Sequence, residues 1–99
     1  MARVKLDNLQ ILIVDDSAYM RELLSSVLRA FGVPEIRVAE SALDATQQLV
    51  KFEANVAIID WMMTPVNGIE LVKHLRHSTV DRFRLLPIIM LTGHTDKEN

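Results

Sequence analysis

Ninety-nine residues, 49% apolar and 24% charged, describe one soluble globular domain (residues 1–99) with a modest core, short for a complete sheet with helices on both faces. The formal net charge is −2 and the basic residues are scattered, which leaves no footprint for direct nucleic-acid binding. No cysteine is present, which excludes disulfides, thiolate metal sites and thiol catalysis and fits a cytoplasmic chain. Met1 to Gln10 is mixed and charged rather than a signal peptide, and no apolar run approaches the roughly 20 residues that span a membrane.

Along the chain, short apolar runs alternate with longer helical periods. Ile11-Leu12-Ile13-Val14 reads as a strand buried on both faces and stops abruptly at Asp15-Asp16. From Ser17 the period changes: Met20, Leu23, Leu24, Val27, Leu28 and Phe31 fall on one helical stripe, closed by Gly32 and Pro34. Ile36-Arg37-Val38 suggests a second strand, and Ser41 with Asp44 a capping box opening a helix that runs to about Phe52. Val56-Ala57-Ile58-Ile59 is another buried strand, again ending in an acid, Asp60. A turn through Pro65, Asn67 and Gly68 leads to a helix carrying Ile69, Val72 and Leu75. Ser78 to Leu86 reads as irregular, and Pro87-Ile88-Ile89-Met90-Leu91 as a fourth strand ending at Thr92-Gly93. The alternation predicts an α/β fold, a doubly wound parallel sheet of about four strands with three helices and right-handed crossovers.

Asp15, Asp16, Asp60 and Thr92 each stand at the carboxyl end of a predicted strand, and in an open parallel sheet those ends line one crevice. Three carboxylates gathered there repel unless one is protonated or a cation is bound. An all-oxygen cluster without Cys or His favours a hard ion, Mg²⁺ above others, whose shell a phosphate commonly completes. Such an ion would align a phosphoryl group against a carboxylate nucleophile, with Thr92 offering a hydroxyl donor.

Val14-Asp15-Asp16-Ser17, Asp60-Trp61-Met62-Met63 with Gly68 after it, and Pro87 through Gly93 together resemble the receiver domains of two-component response regulators, from about Leu9 to Asn99. The resemblance implies a flavodoxin-like fold and a phosphoacceptor switch, not an enzyme acting on other molecules, that takes a phosphoryl group from a histidine kinase or phosphotransfer protein. By the same resemblance Asp60 is the acceptor and Asp16 the direct Mg²⁺ ligand. Asp15 reaches the metal through water, and Met62 supplies a main-chain carbonyl to it. Thr92 meets the phosphoryl group, and Gly93 leaves room for that movement. Thr64 departs from the family's usual proline, which follows one place later as Pro65. A complete receiver continues through a further helix, strand and helix. That fifth strand carries an aromatic switch residue and ends in a lysine, for which Lys97 comes too early, so a C-terminally incomplete receiver is expected. An incomplete receiver would leave the fourth strand as an open edge and invite a homodimer.

Blander readings compete. Asp15-Asp16 before a helix also suits an N-terminal cap, and Asp60 or Thr92 alone an ordinary strand end. His74 and His77 read as surface residues; His94, two places after Thr92, is close enough to influence phosphoryl lifetime. Met62, Met63 and Met90 read as packing or loop residues, and Trp61, the single tryptophan, as a reporter. An interaction-only receiver-like module is the alternative function. An aspartyl phosphatase ranks below it, because the general acid required two residues after the nucleophile is replaced by Met62.

Overall fold

The computed structural model describes residues 8–92. Four parallel strands, β1 (Gln10–Val14), β2 (Glu35–Ala39), β3 (Val56–Asp60) and β4 (Ile88–Leu91), form one sheet in the order β2-β1-β3-β4. Between them run α1 (Ala18–Ala30), α2 (Ala42–Lys51), α3 (Gly68–Arg76) and a single turn, α4 (Asp81–Arg84). The predicted α/β, flavodoxin-like arrangement of strands and three longer helices is what forms.

The continuous apolar runs in β1 and β3 are explained by layers on both faces. Leu12, Val14, Ala57 and Ile59 pack with Ala45 and Leu49 of α2 and Leu71 and Leu75 of α3. Ile11, Ile13 and Ile58 point the other way and join Val33, with Leu24 and Leu28 of α1 against them. The two-residue alternation of a strand sorts the side chains between these faces.

Local chemistry sets the helix ends. The Ser17 hydroxyl accepts the Met20 N–H at 3.2 Å and caps α1. Gly32, with φ of 97°, supplies the left-handed turn that ends it. Ser41 accepts the Asp44 N–H at 3.0 Å, whereas Asp44 reaches back one residue further than a capping box, to the Glu40 N–H at 3.1 Å. The reciprocal box forms instead at α3, between Asn67 and Glu70.

One expectation is corrected. The stretch Ser78–Leu86 is not wholly irregular: α4 forms there, too short for any periodic signal, held by Arg82 donating to the Leu49 carbonyl at 2.7 Å and Arg76 to the Arg84 and Leu86 carbonyls at 2.9 and 2.8 Å. The apolar stripe of α1 is not core throughout. Met20, Leu24 and Leu28 are half-buried, but Leu23, Val27 and Phe31 are 41%, 42% and 71% exposed. On α3 the buried positions are Leu71 and Leu75, with Val72 half-buried and Ile69 exposed. Gly93, His94 and Lys97 lie outside the described residues.

Candidate phosphoacceptor and metal site

In the strand order β2-β1-β3-β4 the winding reverses between β1 and β3, and the crevice of such a fold opens at the carboxyl ends on either side of that reversal. Val14 pairs with Ile59, so the next residues, Asp15 and Asp60, stand level across the junction. Alternation places Asp15 on the face of Ile11 and Ile13, and Asp60 on the face of Ile58, which is the same face. Both acids are buried, 2% and 1% exposed. Asp16 is exposed beside them, and carboxylate oxygens of all three lie within 4.8 Å of one another.

Main-chain contacts fix this arrangement. The Asp15 N–H donates to the Ala39 carbonyl at 3.0 Å, while its carboxylate Oδ1 accepts the Ser17 N–H at 2.9 Å. Asp60 Oδ1 accepts the Met62 N–H at 3.1 Å, and the Trp61 N–H donates to the Leu91 carbonyl at 3.0 Å. Asp60 itself pairs with Leu91, so Thr92, exposed, leaves the sheet directly beyond the level of Asp60. Gly68 closes the β3–α3 loop: its N–H meets the Trp61 carbonyl at 3.0 Å, and an added Cβ would collide with the Asp60 carbonyl oxygen and stand 3.0 Å from the Trp61 Cα. Thr64 is exposed and joined to Pro65 by a cis peptide.

Burial pushes the Asp15 carboxyl above its ordinary value of 3.8. The Ser17 N–H opposes that shift. The charges of Asp60 and Asp16, and a hydrogen bond shared with the Asp60 side chain, add to it. Crowded hard oxygen donors of like charge fit a small divalent cation, which would relieve their mutual repulsion. Asp15, Asp16 and Asp60 would be its side-chain ligands.

Of the residues singled out from sequence, Asp15, Asp16 and Asp60 come together, Met62 is bonded to Asp60 through its N–H, and Thr92 lies at the neighbouring strand end. Ser17, not the acid pair, caps α1, which leaves both acids to the crevice. Trp61 is 37% exposed beside Asp60, Met63 is buried in the core, Met90 is half-buried, and His74 and His77 are exposed. Sequence reasoning overlooked Arg21, whose guanidinium donates to the Asp15 carbonyl at 2.8 Å, and the close packing of Gly68 under Asp60. The acceptors in both cases are main-chain atoms, which leave no mark on the pattern of residue types.

Residues 11–99 match the family model of the response regulator receiver domain. Chemotaxis protein CheY1 of Helicobacter pylori is 36% identical over 90 residues, 90% of this chain and 71% of that protein. The chemotaxis protein CheY homolog of Campylobacter jejuni is 38% identical over 90 residues, 90% of this chain and 68% of that protein. Among solved structures, a response regulator receiver protein from Pseudomonas putida superposes with a TM-score of 0.80 at 31% identity, covering 94% of this chain and 74% of its own.

Proposed function

The chain belongs to the response regulator receiver domain family, and from that premise we propose that it is a single phosphoacceptor switch unit of cytoplasmic two-component signalling, with Asp60 as the acceptor. The observation that carries the reading is the level pair of buried acids, Asp15 and Asp60, at the strand-order reversal, with Asp16 completing the cluster.

The chemistry follows from the positions. A carboxylate oxygen of Asp60 attacks the phosphorus of a phosphohistidine on a kinase or phosphotransfer protein; the P–N bond breaks, the imidazole leaves with its electron pair and takes up a proton, and an acyl phosphate remains on Asp60. The Met62 N–H, bonded to Asp60 Oδ1, orients the carboxylate so that its other oxygen serves as nucleophile. The Thr92 hydroxyl donates to a phosphoryl oxygen once the group is in place. Asp15, Asp16, Asp60 and the Met62 carbonyl would hold Mg²⁺, and the ion would supply neutralisation of the charge on the phosphoryl oxygens. The protein acts as acceptor and switch rather than as an enzyme turning over a separate substrate. Added charge at the crevice biases the loops around it and so changes affinity for partners. Partners in this reading are proteins, not nucleic acid or membrane; among the described residues no helix is long and apolar enough to cross a membrane. A second copy is also a partner in this reading. Strand β4 is an edge among the described residues and its Ile89 is 52% exposed; a monodisperse monomer by light scattering would remove this part.

Trp61 fluorescence tests the core of the reading. A saturable response to Mg²⁺, then a further response to beryllium fluoride that Asp60→Ala abolishes, is the expected result. A folded protein that answers neither addition would favour the interaction-only module instead.

A further inference from the structure

Arg21 belongs to α1, not to the acid cluster, yet its half-buried side chain turns back six residues along the chain. Its Nη1 donates to the main-chain carbonyl of Asp15 at 2.8 Å. Arg21 lines the groove between α1 and β2 together with Ser25 and Ile36, and the bond to the Asp15 carbonyl fixes the guanidinium at one end of it. The carbonyl it holds belongs to the first residue after β1, where the chain turns toward α1. Two further contacts meet at the same turn: the Asp15 N–H on the Ala39 carbonyl and the Ser17 N–H on Asp15 Oδ1.

The choice of acceptor matters. A guanidinium bonded to a carboxylate of the cluster would compete with a cation for that oxygen. Bonded to the carbonyl, it fixes the backbone from which both acids project and leaves their carboxylates to the crevice. The acids repel one another, so without such a tether the Asp15–Ser17 turn would relax outward and separate them.

We infer that Arg21 is a positioning residue for the metal site: through the Asp15 carbonyl it holds the β1–α1 turn so that Asp15 and Asp16 face Asp60 before any ion arrives. This rests on the proposed function only for the identity of the ion.

The test compares Arg21→Met, which keeps the stem and removes the donor, with Arg21→Lys, which restores one donor; a single bond to a single carbonyl does not need the planar fork. Two readouts are taken. Hydrogen exchange in metal-free protein reports the turn through the Ser17 amide and the core through the Ile13 amide. Mg²⁺ affinity is read from Trp61 fluorescence. The inference expects faster exchange at Ser17 with Ile13 unchanged in Arg21→Met, a Kd for Mg²⁺ raised about tenfold, the lower end of what outer-sphere partners of metal ligands contribute, and recovery of most of both in Arg21→Lys. Wild-type affinity and exchange in Arg21→Met would overturn it. So would loosening of Ile13 in step with Ser17, which marks a general structural role. If the wild-type protein itself ignores Mg²⁺, the metal reading falls separately, and Ser17 exchange in the metal-free variants decides whether Arg21 holds the turn.

Discussion

The body of β1 and β3 and the residues that end them follow opposite physics. Over Ile11–Val14 and Ala57–Ile59 every side chain is apolar and buried, and each adds to stability by leaving water. One position further, Asp15 and Asp60 are as thoroughly buried but carry carboxyl groups, side by side and with Asp16 at their flank. The sheet body stabilises the fold; its carboxyl end draws on that stability to hold three acids together, at the place proposed for an ion and a phosphoryl group. A site that costs stability without its ligand is poised to gain it on binding.

The sharpest contrast comes from the body. Leu12→Ala, at a fully buried position, should cost about 2–5 kcal/mol in chemical denaturation, since transfer and cavity losses add. Gly68→Ala should follow at roughly 2–3 kcal/mol, because the new methyl meets the Asp60 carbonyl, and it should weaken the Mg²⁺ response as well. A neutral effect at Gly68 would mean that the loop below the acceptor has room to spare.

At the carboxyl end the sign reverses. Asp15→Asn should raise the stability of the metal-free protein on the order of 1 kcal/mol, several degrees in Tm, by removing one charge from the cluster. It should also shrink the stabilisation that saturating Mg²⁺ gives the wild-type protein. The pH dependence follows the same sign. The folded Asp15 holds its proton more tightly than the unfolded chain does, so its ionisation weakens the metal-free fold as pH rises through that raised value, and acidification back through it returns stability. The Asn variant should lose this part of the slope. Destabilisation by Asp15→Asn would break the comparison between body and end. The smallest effect is expected at Leu23→Ala on the open flank of α1, below about 1 kcal/mol, although its neighbour Leu24 packs on the sheet.

Much of this was legible in the sequence because runs of Ile, Leu, Val and Ala cannot be mistaken where they stop at an acid. That single feature located β1, β3 and the crevice together. On α1 periodicity reports which residues share a helix face, not which of them are covered: Leu23, Val27 and Phe31 share the stripe with Leu24 and Leu28 yet stand exposed. The turn α4 and the tether from Arg21 were invisible for a different reason. Both depend on side chains reaching main-chain carbonyls across the fold, and every residue carries a carbonyl. Gly68 could be noted as a turn residue, but the close approach of the Asp60 carbonyl that demands it exists only once β3 and α3 are packed.

The central claim is that Asp60 accepts a phosphoryl group. Intact-mass measurement after incubation with acetyl phosphate and Mg²⁺, with the adduct trapped by borohydride and mapped by peptide sequencing, tests it most directly. One phosphoryl group per chain, mapped to Asp60, absent in Asp60→Ala and lost when Mg²⁺ is chelated, is the predicted result. An unmodified chain under conditions where Mg²⁺ demonstrably binds, or an adduct that persists in Asp60→Ala, would contradict it.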